Sequence, residues 1–486
     1  MKKIIGLILL IIMAFNSLAL NVVSAEEMGN VWQEAATAVS IRDRLSNLNK
    51  GSVINYANAT PSEITQSVEV AEKPFIYTDY VGILPTLYIE GDNVLISKDN
   101  AVELSYRFVR PDGTTYLSDG VCSLKWQGSS SLMYPKKNYT IKFPEKFVAD
   151  EKWGAESKYC MKANFMDYSH TRNLGSAKLW GQIVNSRNDA TSSVTSRLKQ
   201  LPNGGAVDGF PIILVINGFY QGMYTFNIPK DPWMFKMGAS GNMTEAIIGA
   251  DAWSEQTLFK AETAFYGDFE VEHNSYEDVS EDPAWMKESL NRLLKACIES
   301  DGTDLDTTIA QYLDWDSAID YYIFTTLIGA IDCQGKNYLL ATFDGTKWFF
   351  SAYDMDTTFG IGWDGKYYIP PDLIATGTFI ENAQNHRVMD LILKYKKPEL
   401  CRRYWELRSG VLSEENVINT LRSVMANVPE KLHKQDLNIW NGIPGTDTNN
   451  LMQMEDWYKR RVGLIDDQVR GIESNTLNGA YYMIWE

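Results

Sequence analysis

Histidine and cysteine are scarce, and the scarcity removes several kinds of chemistry. The four histidines, His170, His273, His386 and His433, are scattered, and no Cys-x-x-Cys pair occurs. A zinc site needs several such ligands at short spacings, so no zinc signature is present. The five cysteines, Cys122, Cys160, Cys297, Cys333 and Cys401, are odd in number, which excludes a complete intrachain disulfide set. Each reads as a small buried hydrophobe. Only Cys122 and Cys160, both in predicted strands of the front half, are candidates for a pair. Beyond the first 25 residues no apolar run is long enough to span a bilayer. Positive charge is also short, with a formal net charge of −17. Nucleic acid and anionic membrane surfaces are therefore not expected partners, whereas basic polypeptides suit the charge.

What the chain does have begins with a leader. Lys2 and Lys3 precede an apolar stretch from Ile4 to Ala19, and Val23-Ser24-Ala25 fits a small-residue cleavage site. Residues 1–25 are expected to be a signal peptide cut after Ala25. The protein is then extracellular, without a membrane anchor, and its net charge becomes −19. No cysteine follows the apolar run to carry a lipid. Apolar residues make up 45% of the 486, with 14 Trp and 26 Tyr, which argues for a large packed core and against disorder.

The most informative stretch runs from Ile331 to Gly360. Asp332 and Asn337 stand five apart. Tyr338 to Phe343 is a short apolar run of strand type, Asp344-Gly345 is a hairpin turn signal, and Trp348 to Tyr353 is the return strand. The hairpin ends in Asp354 and Asp356. Both open ends therefore carry polar groups, and the spacing predicts that three carboxylates and one carboxamide gather there.

Phosphoryl transfer gives such a set a task. It needs Mg²⁺ on a few oxygen ligands and a carboxylate to orient the attacking hydroxyl. Protein kinases use Asp-x-x-x-x-Asn and, after a hairpin, a second Asp. Asp332-Cys-Gln-Gly-Lys-Asn337 has that step. The His-Arg before the Asp is replaced by Ala330-Ile331, and Asp-Phe-Gly by Asp354-Met355-Asp356. The plainer reading makes Asp332 and Asn337 turn caps and Asp354 a helix cap.

D-C-Q-G-K-N-Y-L followed by W-F-F-S-A-Y-D-M-D-T-T-F-G resembles the spore coat protein H (CotH) kinase family. So do Tyr134-Pro-Lys-Lys-Asn-Tyr-Thr-Ile-Lys-Phe143, Asn164-Phe-Met-Asp-Tyr-Ser-His-Thr-Arg-Asn173 and Asn217-Gly-Phe-Tyr-Gln-Gly-Met-Tyr224. The blocks stand in the family's order, between about Leu84 and Val411. The resemblance implies an α+β, atypical protein-kinase-like fold with a β-rich N-terminal lobe and a mainly helical C-terminal lobe. It implies ATP with Mg²⁺ or Mn²⁺, and Ser or Thr of proteins as acceptor. Asp332 would orient the acceptor hydroxyl, and Asn337, Asp354 and Asp356 would hold metal. Gly128, Ser129 and Ser130, in a short loop between strands, would wrap phosphates with backbone N–H groups. Lys136 is the best match to the phosphate-binding strand lysine, with Lys142 the runner-up. The family more often has Arg where Gln127 stands. It often has an acid after the Asn217 hairpin, where Asn227-Ile-Pro-Lys-Asp231 occurs here.

The remainder divides into four parts. After the leader, residues 26–83 form a helix (Val31 to Leu48) and an Asn-, Ser- and Pro-containing arm. Residues 84–230 are the β-rich unit, with a helix expected from Asp167 to Val184 and an Asp167–Arg172 ion pair on it. Residues 231–300 combine a polar insertion or lid, Lys236 to Trp285, with one helix. Residues 301–486 are helical around the hairpin, with a buried helix from Trp315 to Ala330 leading into Asp332. A continuous helix is expected from Asn385 to Arg408, and an acidic loop from Asp436 to Asn450. Two other classes compete with a kinase: a non-catalytic surface-binding protein that kept the fold, and a hydrolase of glycans using Asp332 and Asp354 as acid and base. The second leaves Asn337 and the lysine strand without a task.

Overall fold

A computed structural model describes residues 82–188, 192–264, 267–276, 283–366, 368–371, 385–440, 442–446 and 450–474. The expected signal peptide, the Val31 to Leu48 helix and the arm that follows lie outside them.

The first seven strands are β1 (Thr86–Glu90), β2 (Val102–Val109), β3 (Gly120–Gln127), β4 (Asn138–Val148), β5 (Ala155–Lys162), β6 (Gly209–Ile216) and β7 (Phe219–Asn227). They close into a barrel in the order β1-β2-β3-β4-β5-β7-β6, and the parallel pairing of β1 with β6 shuts the seam. Alternation decides which face points in. Leu104, Tyr106 and Phe108 on β2, Tyr139, Ile141 and Phe143 on β4, and Tyr159 and Met161 on β5 are buried in the core. Aromatic rings fill much of it, as where Tyr159 stacks on Phe226 at 4.6 Å. The β6–β7 turn is Asn217-Gly218, both at positive φ (51° and 76°), as the hairpin signal requires.

The closure was not visible strand by strand. It also separates the one cysteine pair offered by the sequence. Cys122 faces the barrel core, whereas Cys160 lies on the opposite face of its strand, lining a cavity. All five cysteines are buried thiols.

The second sheet has the order β11-β10-β8-β9, formed by β8 (Ala246–Ala250), β9 (Phe269–Asn274), β10 (Tyr338–Thr342) and β11 (Trp348–Ala352). The stretch read as an insertion thus supplies two strands beside the hairpin. Ala246–Ala250 is buried throughout, so it shows no alternation to betray a strand.

The helices are α1 (Arg172–Ser186), α2 (Ser193–Leu198), α3 (Ala284–Glu299), α4 (Trp315–Ile328), α5 (Arg387–Tyr395), α6 (Lys397–Arg408), α7 (Glu414–Val424), α8 (Glu430–Ile439) and α9 (Leu451–Glu473). Helix α4 is capped by Asp314, whose carboxylate accepts from Ser317 N at 2.8 Å. It ends at Gly329, at φ 65°, where a Cβ would lie 2.6 Å from the Trp457 ring. Because α4 is apolar on nearly every side, it is buried and delivers the chain directly to Asp332. Three helix readings need correction. The helix expected from Asp167 begins only at Arg172. The stretch from 385 to 408 breaks at Lys396, where Pro398 opens a new helix. The expected acidic loop begins inside α8, with Asp436 buried. Among the described residues no helix is long and apolar enough to cross a membrane.

Candidate active site

The hairpin register brings the polar groups together. Tyr338 pairs with Ala352 at the open end of β10 and β11, so Asn337 and Tyr353 are neighbours. Asp344 Oδ1 accepts from Thr346 N and Lys347 N, each at 2.8 Å, and Gly345 takes φ 73° to close the turn. Asp332 sits in a tight turn, Ile331–Gln334, just after α4. Asn337 takes φ 53°, donates its backbone N–H to Ala250 O at 2.8 Å, and donates from Nδ2 to Asp332 Oδ2 at 2.6 Å. Asp354 also takes a left-handed backbone, φ 54°. Non-glycine residues held there mark local strain, and such strain collects at functional sites.

These residues line one cavity of about 720 Å³, with Gly128, Ser129, Ser130, Asp332, Asn337, Asp354 and Asp356 all on its wall. Gly128 is at φ 113°, and a Cβ there would lie 2.0 Å from Ser131 Oγ, so only glycine forms this loop. Gln127 Oε1 is buried and finds no hydrogen-bond partner in the protein, which leaves a polar atom beside the cavity for a ligand to satisfy. The outward face of β3, β4 and β5 contributes Lys125, Asn138, Thr140, Lys158, Cys160 and Lys162 to the wall. Seven lysines and six carboxylates line the cavity. The wall is thus close to neutral, in contrast with the chain's overall charge of −17.

The structure reassigns the lysines. Lys136 is buried, with Nζ 2.6 Å from Asp436 Oδ2 and 2.6 Å from Met223 O. Asp436 also meets His170 Nε2 at 3.0 Å and accepts from Met223 N at 3.1 Å. The Lys136 ammonium thus ties the barrel to α8, while the residue also stands on the cavity wall. Lys142 is exposed and lies outside the cavity. The lysine that faces the metal-type carboxylates is Lys162, the last residue of β5, with Nζ 3.9 Å from Asp354 Oδ1. The sequence patterns single out Lys136 and Lys142 and not Lys162, although it stands two residues before the Asn164 block. Lys230, also unassigned before, pairs with Glu270 at 2.6 Å and with Glu272. Burial pushes the Glu272 carboxyl up to about 8, Lys230 opposing and Glu270 adding to the shift.

The Asp167–Arg172 ion pair, 2.9 Å, does more than pin a helix. Asp167 accepts from the N–H groups of Thr171 and Arg172 just before and at the start of α1, and Arg172 Nε donates to Thr358 O at 2.9 Å. Next to it, Asn173 Oδ1 accepts from Met355 N at 3.1 Å. The first turn of α1 therefore holds the segment that carries Asp354 and Asp356.

Electrostatics fit a cation. The Asp356 carboxyl is raised well above the usual range, by burial and then by the neighbouring Asp354 charge, with Lys162 opposing. Carboxylates forced together in this way are relieved by a hard cation, which prefers oxygen donors. Among the described residues no three His, Cys, Asp or Glu side chains form a metal-binding cluster by themselves. Two carboxylates with the Asn337 amide oxygen make a donor set of the size Mg²⁺ takes while keeping several waters. Asp332 is raised too, by burial first, with Lys336 opposing and Asp354 adding.

A family model described as CotH kinase protein matches residues 124–465, about seven tenths of the chain and every site residue named above. No curated protein matches the chain.

Proposed function

The chain belongs to the CotH kinase family, and from that premise we propose that it is a secreted, ATP- and metal-dependent protein kinase. Its acceptors are Ser or Thr hydroxyls of extracellular or cell-surface proteins, and its plan is two-lobed, with the cavity between the barrel and the second sheet. The observation that carries this reading is the single cavity on which Asp332, Asn337 and Asp354 face Lys162 and the Gly128 loop.

Each group has a task in the transfer. Lys162 and the Gly128–Ser130 loop bind the nucleotide phosphates and fix the γ-phosphoryl group. Asn337 and Asp354, with Asp356, would hold Mg²⁺ or Mn²⁺, which neutralises charge on the phosphate oxygens. Asp332 accepts the acceptor hydroxyl's proton as its oxygen bonds to the γ-phosphorus. The bond from that phosphorus to the bridging oxygen breaks, and ADP leaves. Asn337 keeps the Asp332 carboxylate in one orientation through the 2.6 Å hydrogen bond.

The test is direct. The mature chain, purified from Glu26 onward, is incubated with γ-labelled ATP, Mg²⁺ or Mn²⁺ and a mixed protein acceptor. Label on protein Ser or Thr, absent in Asp332→Asn, is the expected result. Metal-dependent ATP binding without transfer would instead make the chain a non-catalytic binding protein on the same fold.

A further inference from the structure

Trp253 stands outside every family block and outside the strands, in the turn that follows β8. Its Nε1 donates to Asp332 Oδ1 at 3.3 Å, while the other carboxylate oxygen accepts from Asn337. Both oxygens of the proposed base are thereby held, each by a different part of the chain. We propose that Trp253 is a positioning residue for Asp332, its indole N–H fixing the carboxylate plane and its ring walling the acceptor's side of the cavity. This rests on the kinase reading above.

Three further observations point the same way. The residue beneath the indole is Gly335, in the same loop as Asp332, where a Cβ would lie 2.4 Å from the Trp253 ring. The loop is shaped to receive this side chain. Yet the tryptophan is 41% exposed and lines the cavity, so it is not there to fill a core. Its turn is also cross-tied by hydrogen bonds. Thr257 Oγ1 donates to Ala252 O at 2.8 Å and accepts from Ser254 N at 3.1 Å, and Thr257 O accepts from Tyr338 OH at 2.6 Å. Tyr338 directly follows Asn337, so the two donors that hold Asp332 are fastened to each other. A hydroxyl reaching Asp332 must pass beside the indole face, where apolar parts of the acceptor residue find a partner.

Trp253→Phe keeps a ring on Gly335 and removes only the N–H. It should lower kcat about ten-fold, the value of one hydrogen bond to a charged group, with KM for ATP and the melting temperature unchanged. Trp253→Ala should in addition raise KM for the acceptor. A second readout needs no turnover. In a ¹⁵N spectrum of the indoles, the resonance lost in both Trp253→Phe and Trp253→Tyr should move in Asp332→Asn. A parent-like kcat in Trp253→Phe with a functional parent, or an indole resonance indifferent to Asp332→Asn, overturns the role while leaving the kinase reading intact. A parent that transfers no phosphate overturns both.

Discussion

Lys136 Nζ lies 2.6 Å from Asp436 Oδ2 although 300 residues separate them, and both side chains are buried. A lysine that the sequence pattern offers to a phosphate is instead a tie between the barrel and α8. Breaking a buried pair by removing one partner leaves the other charge unsatisfied, at about 3–5 kcal/mol. Asp436→Asn should therefore lower the melting temperature strongly without touching the cavity's metal-type residues. Acid titration gives the sign. Burial works against the Asp436 charge, but Lys136 and His170 outweigh it and hold the carboxyl below its usual range. Such a group stabilises the fold fully above about pH 4 and loses that contribution as pH falls through its lowered value. Urea denaturation across pH 2–7 should show a shallower acid limb in Asp436→Asn than in the parent. Equal limbs would remove the pair from the stability argument.

In the proposed mechanism Lys162 takes the nucleotide role that the sequence pattern offers to Lys136. Lys162→Met should weaken ATP binding about ten- to a hundred-fold, as expected for loss of a charge-assisted contact. Lys142→Met should bind ATP like the parent, since its side chain lies outside the cavity. Equilibrium binding of a fluorescent ATP analogue compares the two. The reverse order of effects would restore Lys142 as the phosphate lysine.

The hairpin residues were legible because the information is local. A turn signal between two apolar runs sets the register that brings Asn337 and Asp354 to one end, and the five-residue step from Asp332 to Asn337 keeps Asp332 beside them. The α+β class was legible for the same reason. Lys162 was not, because which strand lysine faces the cavity depends on barrel closure and on Asp436 claiming Lys136 from far along the chain. Strand β8 was hidden because a short strand buried on both faces carries no period. Trp253 was hidden because nothing in its neighbours marks it as different from the chain's other tryptophans.

Asp354 should carry most of the cation's charge. Asp354→Ala removes an end-of-strand carboxylate that packs no core, so the melting temperature should stay near the parent's. Metal-dependent ATP binding should be lost. Calorimetry with ATP in the presence and absence of Mn²⁺ measures this. An affinity unchanged by the mutation would place the cation elsewhere.

Asp332 and Asn337 touch, yet they should fail differently. Asp332→Asn leaves Asn337 and Asp354 in place, so ATP and metal should still bind, while transfer falls by about two to four orders of magnitude. Asn337→Ala should weaken metal dependence and rate together, since it removes a metal donor and lets the Asp332 carboxylate turn. The pH profile adds a third distinction. Burial, with Asp354 adding and Lys336 opposing, raises the Asp332 carboxyl above the usual carboxylate range. A base works only when deprotonated, so kcat should climb with pH through a value above about 4. Lys336→Met removes the opposing charge and should move that rise to still higher pH. If Lys336→Met leaves the rise where it was, the titrating base is a group other than Asp332, and the carboxylate at the head of the hairpin serves only to shape its turn.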